Sequence, residues 1–476
     1  MIDTVILIAY LGLVLWIGYA SRRLGGFREF AVSHGGYGWL VVFCTLSASF
    51  IGGGFSTGTA AKVFAGGFAY PLALLGFSVQ IILVALFVAP RIKAFPGALS
   101  VGDIIEPAYG RPARVLTGIF SVLICAGILG AQIGALGAIF NVFLGVPVVW
   151  GFLIGFAIVL FYSTVGGMTA VVRTDVLQFI LLIVGIPLVF LLGVSEAGGW
   201  SAFTAAVPES HLRIVSDALP LAAFTSLFLV FLLGETLVPP YVQRLLIGRD
   251  TAATVRGNFW SGIVSVPFFL VAGGIGLVAL QLDPSMAPNL ALPETVKRLA
   301  PVGVSGLIIA GIVSIVMSSA DSFLNAASVA VVQDVWKPLR RTPPTERQSL
   351  AVARWTNLLT GAIALAFALS IPNVLDILIA AYDYWAPTVL VPLVAALLGV
   401  RAAPAAFYAA VIAGMVGTLA WDLMLGRPLG LQGLIAGAAL ALLAFLVARW
   451  TVAIPVVVSS QASPATVGSR DGRPPA

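Results

Sequence analysis

Ser47-Ala48-Ser49-Phe50-Ile51-Gly52-Gly53-Gly54-Phe55-Ser56-Thr57-Gly58 sits inside an apolar run over about 37–62. A bilayer crossing takes about 20 such residues, yet each of the three consecutive glycines costs a helix about 1 kcal/mol. The stretch therefore predicts a membrane helix broken at depth. A second interruption, Gly234-Glu235-Thr236-Leu237-Val238-Pro239-Pro240, falls in the run over about 218–246. Its prolines remove amide donors and clash with the preceding turn. Unwound backbone at membrane depth persists only where it lines a cavity or is buried in protein, so the two stretches point to a binding site between helices.

The rest of the composition fits a bilayer. The 476 residues are 60% hydrophobic and 9% charged, with a mean hydropathy of +1.08, whereas a soluble domain is roughly a quarter charged. The formal charge of +6 is not a nucleic-acid signal, because the basic residues sit in short loops between apolar runs. Cys44 and Cys125 lie inside apolar runs, and His34 and His211 lie in loops far apart. No disulfide framework, metal cluster or nucleophile–base set is expected, which argues against an enzyme and against a bound cofactor. The first apolar run starts at Met1 with no basic segment before it, so it reads as a span and not as a cleavable signal.

Thirteen candidate spans follow, at about 2–20, 37–62, 68–90, 113–143, 147–167, 172–195, 218–246, 256–281, 301–332, 350–371, 374–399, 403–424 and 429–450. With strict alternation, Arg22, Arg23, Arg28, Arg91, Lys93, Arg111, Arg114, Arg244, Arg249, Arg256, Lys337, Arg340, Arg341, Arg347, Arg354, Arg401 and Arg449 share one side. The other side keeps Arg213, Lys297, Arg298 and Arg427. The excess of Lys and Arg in short loops puts the first side in the cytoplasm, with the N-terminus outside. One transporter domain over 1–455 is expected, followed by a Ser/Pro/Gly-rich disordered tail over 456–476. The two breaks lie five spans apart on helices of opposite direction, which suggests inverted repeats over about 37–195 and 218–399 and a binding site near the midplane.

In the ninth span, Ser314, Ser318, Asp321, Ser322 and Asn325 recur at helical spacing and form one face, with Ser319 beside it. A seam of small residues would explain the serines. It does not explain a carboxylate, which is costly in a span unless paired, hydrated or bound to a cation. Glu235 lies inside the second break, as a ligand or as an acceptor for freed amides. Asp383 stands among Tyr382, Tyr384 and Trp385 in the eleventh span, as a gate, a solute contact or an interfacial residue. Gln80 in the third span is a weaker candidate of the same kind. Asp175 with Gln178 opens the sixth span, as an ion ligand or as a helix cap.

Four segments resemble one family. They are Gly166-Gly167-Met-Thr-Ala-Val-Val-Arg-Thr-Asp175-Val-Leu-Gln178, Met317-Ser-Ser-Ala-Asp321-Ser-Phe-Leu-Asn325, Gln243-Arg-Leu-Leu-Ile-Gly-Arg249 and Gly18-Tyr-Ala-Ser-Arg-Arg23. Their order and spacing are similar to those of sodium:solute symporters, the family of bacterial proline, pantothenate, acetate, sialic acid and sodium/galactose transporters. The resemblance implies an all-α polytopic protein with the leucine-transporter-like fold, a five-plus-five inverted repeat and about 13 transmembrane helices. It implies symport of Na+ with a small organic solute across the bacterial inner membrane. It also implies sodium ligands at the hydroxyls of Ser318 and Ser319 and the carbonyls of Ser47, Phe50 and Ile315. A second sodium site would use Asp175, Asp321 and Ser322. Solute binding or gating falls to Gly52, Gly53, Gly54, Gln80, Glu235 and Asp383. The three glycines and Glu235 depart from the sugar and sialic acid transporters, and a carboxylate at the break favours a solute bearing an amino or ammonium group. A proton-coupled transporter using Asp175, Asp321 or Glu235 is the first rival reading. A non-transporting solute sensor is the second, and the short tail speaks against it.

Overall fold

The computed structural model describes residues 2–22, 25–215, 219–371 and 374–453. Arg23 and the expected tail over 456–476 lie outside them. Helices are the regular elements among the described residues. Ten are long and apolar enough to cross a membrane, and the pair Trp39–Phe50 and Gly54–Gly66, bent by 60°, makes an eleventh span. The 49-residue helix Val148–Glu196 is two spans meeting at Gly167, where φ 54° and ψ −157° depart from helix. A Cβ there would lie 2.7 Å from Phe30 Cδ2 and 3.0 Å from Phe30 Cα, so the turn requires glycine. The half-helices Leu221–Leu233 and Pro239–Ile247 form the other broken span. Counted in this way the described residues form thirteen spans, the number that the hydropathy pattern and loop charges predict.

The ninth span, Val304–Leu339, is the axis of the molecule: 94% of its most apolar window is buried, against 22% for the first span, Ile2–Ala20. That contrast assigns lipid contact to the first span and protein contact to the serine-rich one. Asp3 Oδ1 pins the two together, accepting from the amides of Gly303 and Gly306 at 2.8 Å each. These amides open the ninth helix and would otherwise lack partners. Thr345 and Gln348 form a reciprocal capping box at the start of the tenth span, Glu346–Ser370.

The structure revises two readings of the seventh span. Pro239 and Pro240 do not break the helix. They occupy the first turn of its second half, where a missing amide costs nothing. The unwound stretch precedes them, over residues 234–238, and contains Leu237 at φ 57°, a left-handed conformation that strains a branched side chain. Arg244 is not a loop cation either. It is fully buried within Pro239–Ile247, so it drops out of the charge asymmetry that orients the chain.

Two ion-pair clasps lie at opposite ends of the helix array. On the arginine-rich side, Arg114 pairs with Asp103 at 2.5 Å, with Asp334 at 3.2 Å and with Glu106. On the other side, Lys62 in the second half of the second span meets Asp376 of the eleventh at 2.8 Å.

Candidate functional site

The first break is shaped by close approach. Helix Trp39–Phe50 ends when the Gly52 amide turns back to the carbonyl of Phe50 at 2.7 Å. In a continuous helix that amide would serve Ala48. The next amide, Gly53, is taken by Gln132 Oε1 of the fourth span at 2.6 Å, and in a continuous helix it would serve Ser49. A Cβ on Gly52 would lie 2.5 Å from Gln132 Oε1 and 2.6 Å from Ser319 Oγ, and one on Gly53 would collide with Ala135 Cβ. The glycines therefore let the broken helix touch the fourth and ninth spans. The carbonyls expected to hold sodium also take part in this turn. Those of Ser47 and Phe50 accept the amides of Ile51 and Gly52. The carbonyl of Ala48 instead faces Ser319 Oγ at 3.4 Å. Ile315 lies one helical turn before Ser318 and Ser319 on the buried ninth span.

Beside this break, five helices contribute to one polar cluster. Asp175 of the sixth span accepts hydrogen bonds from Thr45 and Ser318, and Arg244 Nη2 stands 3.4 Å from it. Arg244 also donates to Ser322 Oγ at 2.5 Å. Ser322 Oγ lies 3.2 Å from Ser49 Oγ and donates to the carbonyl of Ser318 at 2.7 Å. Asp321 accepts from Tyr162 OH at 2.7 Å. Through Ser318, the two sodium sites expected separately are one continuous network. Asp175, Asp321 and Arg244 are all fully buried. Two carboxylates against one guanidinium leave one negative charge for a monovalent cation or a proton to balance. Gln178 donates to Tyr10 OH at 3.0 Å.

The second break presents a charged ligand. Glu235 is 2% exposed and accepts from Tyr241 OH at 2.7 Å. No Lys, Arg or His pairs with it among the described residues. The eleventh span supports the break. Trp385 Nε1 donates to the carbonyl of Thr236 at 2.8 Å, and the ring of Tyr382 packs on Gly234. Tyr382 and Trp385, two of the three aromatic residues read as surrounding Asp383, thus serve the neighbouring break.

Between the breaks lies a narrow cavity, too tight in this conformation to admit a water molecule, lined by Ser49, Phe50, Gly52, Gly54, Phe55, Ile128, Gln132, Glu235, Tyr241, Phe323 and Leu378. Of the expected solute contacts it gathers Gly52, Gly54 and Glu235. Gly53 reaches it through Gln132. Gln80 and Asp383 do not line it. Gln80 is buried with both amide atoms unpartnered among the described residues. Gln132, Tyr241 and Phe323 belong to the site and were not singled out from the sequence. The signal for Gln132 was a lone amide within an apolar run, Gly130-Ala-Gln-Ile-Gly134.

A narrow cavity between two unwound helices, with uncompensated buried carboxylates beside it, is the architecture of a membrane transporter. The sodium:solute symporter family model matches residues 30–417, and the chain belongs to that family. Among relatives, the high affinity choline transporter 1 of Homo sapiens is 28% identical over 76% of this chain and 67% of its own length. The corresponding protein of Caenorhabditis elegans is 25% identical over 71% of this chain and 61% of its own length. The sodium/glucose cotransporter of Vibrio parahaemolyticus is 22% identical over 71% and 69%. The chain thus spans about two thirds or less of the choline transporters it matches. A sodium-coupled sialic acid symporter, solved substrate-bound and outward-open, superposes with TM-score 0.81 at 18% identity, covering 95% of this chain and 98% of that one. Mhp1, a nucleobase-cation-symport-1 family transporter, gives 0.60 at 13% identity over 90% and 96%. The fold is the leucine-transporter-like one, in a multi-pass membrane protein. Family and fold together support sodium-coupled solute symport.

Proposed function

We propose that this chain carries a small organic cation, of the amine or quaternary-ammonium class, into the cytoplasm together with sodium. The observation that carries the reading is Glu235, a buried carboxylate without a cationic partner among the described residues, in a cavity walled by Phe50, Phe55, Tyr241 and Phe323. Aromatic faces attract a desolvated cation, and the carboxylate supplies the counter-charge. The similarity to choline transporters supports the same class.

Sodium is the second cargo. Its ligands in this reading are the hydroxyls of Ser318 and Ser319, the carbonyls of Ala48 and Ile315, and the charge of Asp175 behind Ser318. Binding there ties the broken second span to the ninth and fixes Gly52 in the wall of the solute cavity, with Gly53 held behind it on Gln132. Release follows when the helices carrying the breaks rock against the ninth span and open the cavity toward the arginine-rich side. With the N-terminus outside, that side faces the cytoplasm. A sodium and a monovalent cation moving inward together gain about 4.6 kcal/mol per 100 mV of membrane potential.

Uptake into proteoliposomes loaded without sodium tests the reading, with choline, glycine betaine, proline and glucose as probes. Choline-type cations should enter only with a sodium gradient. Glu235→Gln should weaken their apparent affinity by on the order of 30-fold or more, since losing one partner of a buried charge pair costs about 2–5 kcal/mol. Unchanged affinity in Glu235→Gln would sink the solute assignment. Uptake that survives sodium removal but collapses with a protonophore would transfer the coupling to protons.

A further inference from the structure

Away from the cavity, two lipid-facing grooves open at the arginine-rich side and are built alike. One, of about 370 Å³, is walled by Ala157, Leu160, Phe161 and Val165 at the end of the fifth span and by Trp355 and Leu358 at the start of the tenth, with Arg354 at its rim. The other, of about 420 Å³, is walled by Val115, Leu116 and Ile119 of the fourth span and by Pro338 and Leu339 at the end of the ninth, with Arg111 at its rim. Both arginines are exposed, and neither pairs with a carboxylate among the described residues. They differ in this from Arg114, three residues beyond Arg111, which holds three carboxylates.

An unpaired guanidinium at the headgroup level, directly above an apolar furrow between helices, presents the two chemistries of one molecule. We propose that each groove binds one anionic phospholipid, its headgroup phosphate on Arg354 or Arg111 and an acyl chain in the furrow. A zwitterionic lipid fits the furrow equally but brings its own cation toward the arginine. Trp355, 73% exposed beside Arg354, adds an amphipathic ring at the depth where such rings anchor. Each groove joins helices distant in sequence, the fifth with the tenth and the fourth with the ninth. None of its walls belongs to a broken span. The lipids would therefore staple the helices against which the breaks move, without touching either cargo.

Native mass spectrometry of the whole protein, eluted from mixed phosphatidylglycerol and phosphatidylcholine micelles, tests this. The wild type should retain two phosphatidylglycerol molecules with about fivefold preference, corresponding to about 1 kcal/mol per arginine at an anionic surface. Arg354→Gln and Arg111→Gln should each lose one and the double variant both. Arg341→Gln, a change on the same side that lies in neither groove, should lose none. Equal loss in Arg341→Gln, or retention of both lipids in the double variant, overturns the proposal in favour of general surface charge. Neither result bears on the solute reading, because the grooves share no residue with the cavity.

Discussion

At the second span, the groups freed by unwinding meet neutral partners: Gly52 turns onto Phe50, Gly53 onto Gln132, and the Ala48 carbonyl onto Ser319. At the seventh, the unwound stretch carries a carboxylate held by Tyr241, and its own carbonyl at Thr236 is held by Trp385. The first break brings glycines against a wall of fixed neighbours. The second brings bulky residues, including Leu237 at φ 57°, into a strained turn supported by aromatic rings. Neutral oxygens from several helices suit a small hard cation that must also leave. A single unpaired carboxylate among aromatic faces suits a larger organic one. On the proposed reading, the two breaks divide the cargo by the hardness of the ligands they offer.

The comparison breaks most sharply at the glycines. Gly52→Ala and Gly53→Ala drive a Cβ into Gln132, Ser319 and Ala135, whereas Gly54→Ala meets only the flexible end of Leu378, at 3.0 Å. Overpacking costs about 1–3 kcal/mol. The first two variants should lose on the order of 10- to 100-fold in sodium-driven uptake, and Gly54→Ala less than about threefold. Equal damage from all three would mean that the glycines serve helix breaking alone and not close approach.

A smaller effect separates the cargoes. Ser318→Ala removes a bond to the Asp175 carboxylate, worth about 1.5–3 kcal/mol, and Ser319→Ala a neutral one worth about 0.5–1.5. The sodium concentration for half-maximal uptake should rise more in the first variant than in the second. In both, solute affinity at saturating sodium should stay near the wild-type value. A rise in the solute requirement with no change in the sodium requirement would move these serines to the other site.

How much of this was readable from sequence depends on what each residue type encodes. Hydropathy fixed the spans, and helical spacing put Ser314, Ser318, Asp321, Ser322 and Asn325 on one face, because both signals are local. The directions of the carbonyls were not local: that the Ala48 carbonyl faces Ser319 could not be read, because a backbone oxygen leaves no mark on the side-chain pattern. Arg244 looked like a loop cation because a charge near the end of an apolar run reads the same whether it faces water or Asp175. Trp385 and Tyr382 were read with Asp383 by adjacency, but their partners lie across the interface at Thr236 and Gly234. Gln132 was passed over because one amide in an apolar run gives no hint of which freed N–H it will meet.

Gln80 sharpens the boundary of the site from outside. Its helix, Ala69–Ala94, sends Phe77 into ring contact with Phe50 and Phe55, at centroid distances of 5.0 and 4.8 Å. Gln80, one turn on, reaches neither break and has both amide atoms unpartnered among the described residues. A buried polar group without a partner costs about 1–3 kcal/mol, and a similarly shaped apolar side chain recovers part of that. Gln80→Leu should therefore leave sodium and solute requirements within about twofold of wild type and leave thermal stability unchanged or slightly higher. If uptake collapses while the protein still unfolds at its usual temperature, Gln80 meets cargo at another stage of the cycle, and the solute path extends past the two breaks into the third span.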